Sequence, residues 1–158
     1  MASFHTNTRS ATTPSQQNIS TTFKSQVELA SAATGRGQIF ELNVGADGPP
    51  NATDCQIIYD CSRKTVVGTG VTGIINPMNP ADPAARTTCI INSTIEPTVT
   101  ANSMVWSVML NQRASQRWIA APGYELIWPN TSANGLTCRA LSPTYAAPVG
   151  VAVYFTDL

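Results

Sequence analysis

From residue 23 to the end of the chain, apolar and polar side chains alternate in short runs separated by Gly, Pro, Asn and Asp. That period of two is the pattern of half-buried β-strands, and signals for helix are almost absent. Phe40, Leu42 and Val44 fall on one face of such a run and Glu41 and Asn43 on the other, until Asp47-Gly48-Pro49-Pro50-Asn51 breaks it. Ile57 and Tyr59 share a face with the flanking Cys55 and Cys61, and residues 66–75 continue as an extended segment loosened by Gly68, Gly70 and Gly73. Asn76 to Pro83 holds three prolines, which remove ladder donors, so it reads as loop, with Ala84-Ala85-Arg86 able to form one helical turn. Runs at 87–94, 104–110, 117–120, 124–128, 136–141 and 149–155 complete nine or ten strands, and Asn134-Gly135 marks a tight turn. The fold class expected is all-β, an antiparallel β-sandwich of the jelly-roll kind with an extended N-terminal arm.

One run is apolar on both faces. Met104, Trp106, Val108 and Leu110 form one row, while Val105 and Met109 flank Ser107 on the other. Such a strand is either central with a loop laid over its outer face, or part of a subunit interface, which makes Val105 and Met109 interface candidates. Arg113 and Arg117 bracket the following turn beside Trp118. They are either interface anchors, where arginine is enriched, or solvated turn residues. Tyr124, Leu126 and Trp128 share a strand face, so core packing is favoured for the tryptophans over a sugar-stacking platform.

Residues 1–22 behave differently. They are rich in Ser, Thr, Asn and Gln, with little apolar content beyond Phe4 and Ile19, and cannot form a core of their own. The expected organisation is a polar arm over residues 1–22 and a β-domain over residues 23–158, with the arm shaped by a partner.

Composition narrows the function. Lys plus Arg and Asp plus Glu number nine each, and charged residues make up only 11% of the chain. No basic field exists to hold a nucleic acid backbone, and an uncharged polar surface suits a subunit of an assembly. The first residues lack a basic segment followed by an apolar one, and no apolar run reaches membrane-spanning length. A protein made in a cytosol and soluble there, with no membrane partner, is expected. Asn18, Asn51, Asn92 and Asn130 head Asn-x-Ser/Thr sequons that chance explains in so Ser/Thr-rich a chain.

Catalytic equipment is sparse. The one histidine, His5, lies in the arm, and the nine carboxylates are scattered, with only Asp54 and Asp60 close in sequence. Cys55, Cys61, Cys89 and Cys138 lack metal-binding spacing and read as reduced, mostly buried thiols. No catalytic residue, cofactor-binding residue or metal ligand is assigned, and the chain is not expected to be an enzyme.

The stretch Leu110-Asn111-Gln112-Arg113-Ala114, followed by Arg117-Trp118-Ile119-Ala120-Ala121-Pro122-Gly123-Tyr124-Glu125-Leu126-Ile127-Trp128-Pro129, resembles small virion proteins of tailed bacteriophages. Glu96-Pro97-Thr98, Asn134-Gly135 and Leu141-Ser142-Pro143 fit the same pattern, and the similarity spans roughly residues 36 to 158. The proteins resembled are cement or decoration proteins, jelly-roll trimers on the exterior of icosahedral heads. The resemblance implies a homotrimer whose partners are its own copies and the major capsid protein, located on the virion. Phe4, His5, Arg9 and Ile19 would then be arm contacts to the capsid. The alternative expectation is a glycan-binding module on a virion surface.

Overall fold

The computed structural model describes residues 2–32 and 35–158. Twelve strands alternate along it: β1 (Ser3–Asn7), β2 (Lys24–Ala30), β3 (Gly37–Ala46), β4 (Gln56–Val66), β5 (Thr69–Thr72), β6 (Asn76–Pro77), β7 (Thr88–Ile95), β8 (Thr98–Asn111), β9 (Ser115–Ile119), β10 (Leu126–Trp128), β11 (Gly135–Leu141) and β12 (Val149–Asp157). They form two antiparallel sheets. The first runs β10-β3-β12-β1-β6, with β9 also paired to β3, and the second runs β5-β7-β2-β11-β4-β8. The fold is an all-β sandwich, as the alternation predicts.

Facing rows from the two sheets supply the core. Ile39, Leu42, Val44, Val151, Val153 and Phe155 point inward from the first sheet, against Val27, Leu29, Ile57, Tyr59, Leu136 and Ala140 of the second. Cys61 and Cys138 sit opposite one another on β4 and β11 with sulfurs 3.4 Å apart, and both are reduced and buried. Trp128 is fully buried, and its ring crosses the backbone at Gly37, where a Cβ would meet Cζ2 at 2.1 Å.

The N-terminal segment is not an arm. β1 pairs with β12 from Ser3↔Thr156 to Asn7↔Ala152, and its other edge meets Asn76 and Pro77. Phe4 stacks on Phe155 with ring centroids 5.6 Å apart, and Phe4 and Ile19 are both buried in the core. Past β1 the backbone stays tied down. Thr8 N–H donates to Val151 O, Ile19 N–H to Ala147 O, and the buried Asn92 side chain donates to Thr8 O and Ser15 O. A sequence too polar to make its own core still completes one when its two apolar residues enter a core built by others.

Two bulges shift the predicted faces. On β3 the register with β12 slips between Tyr154 and Phe155, so Ile39 takes the inward place assigned to Phe40, and Phe40 leans on Tyr154 on the outer face. On β8 the register with β4 slips between Cys61 and Ser62, which turns Val105 toward the core beside Trp106 and sends Met104 outward. Smaller departures follow the same local logic. Asn76-Pro77 forms a two-residue strand on the sheet edge, where a proline is tolerated, and residues 84–86 are not helical. Tyr124 lies before β10, in a turn where its N–H donates to Ala121 O, and is exposed instead of sharing the buried face of Leu126 and Trp128.

Candidate functional site

The 14 residues of β8 carry no charged side chain and no proline. Among the described residues β8 is the last strand of the second sheet, bonded to β4 alone, and β9 is bonded only to β3 in the first sheet. The two edges stack along one flank of the sandwich. There Trp106 and Trp118 meet with ring centroids 6.2 Å apart, closing the gap between sheets with Val108 and Leu110 beneath them. Outside this seal, Met104 and Met109 are 58% and 66% exposed, and Ile119 is exposed on the outer face of β9. β8 is thus an edge strand and not a central strand under a loop. Apart from its bulges it lacks the lysines and prolines that usually protect a long edge from pairing.

The sequence-predicted residues do not form one cluster. Met109 is exposed on this flank, but Val105 is turned inward by the bulge. Arg113 sits on the corner after β8, where its Nε donates to Asp54 Oδ1 at 2.8 Å and an NH2 hydrogen bonds to Asn51 O. That corner is fixed from below by the buried Gln112 side chain, which accepts from Asn51 N–H and donates to Asn51 O and Thr53 O. Arg117 lies elsewhere, on the outer face of the first sheet, in a two-pronged pair with Glu41 at 2.8 Å for each contact. The pair holds the Glu41 carboxyl below its ordinary pKa and raises that of Arg117, chiefly through the hydrogen bond between them.

Of the four residues assigned to the arm, Phe4 and Ile19 are core residues and cannot reach a partner. His5 and Arg9 remain accessible, on the same outer face as Arg117. The His5 ring lies 4.6 Å from that of Tyr154, and partial burial lowers its pKa. Arg9 forms a two-pronged pair with Asp47, at 2.9 and 2.7 Å. Between Arg9 and Arg117 the sheet is hollowed over a volume of about 500 Å³, lined by Asn7, Asn43, Gly45, Gly150 and Ala152 among others.

No family model, curated protein or solved structure matches the chain.

Charge at these surfaces is spent within the molecule. Six carboxylates (Asp47, Glu96, Glu28, Asp54, Glu41 and Asp60) are each paired with an arginine or lysine. Asp54 and Asp60, close in sequence, are held apart by different partners, Arg113 and Arg139. Among the described residues no group of three His, Cys, Asp or Glu side chains is placed to hold a metal ion. The tryptophans do not make a platform, since Trp128 is in the core and the inner rows of β8 and β9 carry the other two. Sequence reading passes over Gly45 and Gly150, which face one another on β3 and β12, although only Gly45 is a point of close approach.

Proposed function

We propose that this chain is a structural virion subunit, a capsid cement or decoration protein that binds the outer surface of an icosahedral phage head as a homotrimer and stabilises the joints between capsomers. The observation that supports it is the uncharged edge strand β8, with Met104 and Met109 exposed along it. An edge of this length and polarity is a template for pairing, and in a stable protein it is covered by a neighbour. A rotation-related copy covers it without needing charge complementarity, in keeping with the low charge of the whole chain. The resemblance of residues 110–129 to phage head proteins adds the location. The role of capsid contact, assigned earlier to residues 1–22, passes to exposed surface outside the trimer.

Light scattering on the purified protein tests the first half, and mixing it with heads that lack it tests the second. The expected results are a species of roughly three times 16.8 kDa, and bound heads that resist heat better than bare ones. Met104→Lys combined with Met109→Lys should leave the fold intact and give monomers. A wild-type protein that stays monomeric and does not bind heads overturns the reading.

A further inference from the structure

We propose that the hollow on the outer face of the first sheet is a binding site for a neutral saccharide, an activity separate from the assembly role above. The hollow exists because side chains are missing where one end of β3 pairs with one end of β12. Gly150 on β12 stands opposite Gly45 on β3, and one step along the same face Ala152 stands opposite Asn43. Glycine weakens a strand interior, so its presence calls for a local reason. At Gly45 the reason is packing, since a Cβ would press on Ser115 Cβ at 3.2 Å. At Gly150 there is none. Its φ is not positive, and a Cβ would meet nothing nearer than Gly45 O at 3.8 Å. What the missing side chain does is leave the floor open.

The lining selects the ligand. Both walls contain arginine, but Arg9 is engaged by Asp47 and Arg117 by Glu41 through two contacts each, so the site offers an anion no net charge. It offers instead neutral polar groups held in place. Asn43 Nδ2 donates to Glu41 Oε1 at 2.9 Å, leaving Oδ1 without a partner among the described residues. Asn7 Oδ1 accepts from Arg9 N–H at 2.8 Å, leaving its Nδ2 likewise unpaired. One fixed acceptor and one fixed donor thus face a floor of glycine and alanine. Beyond the lining, on the next row of the same face, the Tyr154 ring packs against His5. Hydroxyls for the two amides and for the outer edges of the ion pairs, with C–H surface for the floor, describe a sugar. The volume of about 500 Å³ lies in the range of small-molecule sites and fits a mono- or disaccharide.

Saturation-transfer NMR on the full chain tests this with methyl α-glucopyranoside, methyl β-galactopyranoside, maltose, lactose and N,N′-diacetylchitobiose, and with inorganic phosphate as the anionic competitor. At least one saccharide should receive transfer in the wild type. Asn43→Ala should weaken its binding by about tenfold, the size of one lost hydrogen bond in a binding site. Gly150→Leu, which fills the floor, should abolish it while the thermal midpoint and the oligomeric mass stay unchanged. Absence of transfer to every saccharide overturns the proposal. So does binding that survives both substitutions, or binding that phosphate displaces. None of these results bears on trimer formation or head binding, which are read by mass and by heat resistance.

Discussion

Lys64 and Glu28 are the most heavily constrained charges in the molecule. Both side chains are fully buried, with Nζ 3.7 Å from Oε2, beneath the segment that links β4 to β5. Lys64 also donates to Ala133 O, while Glu28 accepts from Gly68 N–H and from the Ser93 hydroxyl. Burial pushes the Lys64 ammonium pKa down, and Glu28 opposes that shift. Removing one partner leaves the other as an uncompensated buried charge. Lys64→Met is therefore expected to cost about 3–5 kcal/mol in urea unfolding, and Lys64→Met with Glu28→Gln to recover most of it. The exposed pair behaves differently. Arg117 holds the Glu41 carboxyl below its ordinary value of 4.5, so the ionised form is favoured by folding. The stability this gives is complete above that pH and is lost as the pH falls through the lower folded value. Glu41→Gln should flatten the acid side of a stability–pH curve measured at low salt, and added salt should shrink the difference.

At the scale of elements, β1 and β8 depart furthest from their sequence patterns, for opposite reasons. β1 is a strand whose sequence reads as tail: Ser3–Asn7 offers one apolar residue, Phe4, and period-two counting needs several. What makes it a strand is β12, whose backbone it pairs, and that pairing lies far outside any local window. Phe4→Ala should destabilise the whole sandwich by about 3–5 kcal/mol, measured by thermal or chemical denaturation. An external arm would lose its apolar contact with no change in stability. Most other strands were legible, because Leu42, Val44, Ile57, Tyr59, Val151 and Val153 alternate cleanly and are all inward. The exceptions, Phe40 and Met104, follow bulges, and a one-residue slip reverses a face without leaving a mark in the pattern. The strand apolar on both faces was legible as a place needing cover, but whether it lay at the centre or the edge depended on strand order. The hollow was less legible still, since its floor is defined by residues that lack side chains.

For the whole molecule, low charge and an uncharged edge act together. With a formal net charge of zero, no long-range repulsion keeps copies apart, and in the proposed trimer a contact along β8 would be apolar and backbone in character. Self-association should consequently be almost insensitive to sodium chloride, in contrast to assemblies joined by surface ion pairs, and sedimentation at low and high salt would show the same mass. The order of the strands also sets a timetable for folding. β1 finds its main partner in β12, nearly 150 residues further along, and among the described residues its one other neighbour is the two-residue β6. As the chain emerges during synthesis, residues 3–7 have almost nothing to pair with until residues 149–157 appear. Phe4 and Ile19 must wait exposed while the rest of the core collects. Such long-range closure is slow, and it makes β1 among the last of the described strands to find its place.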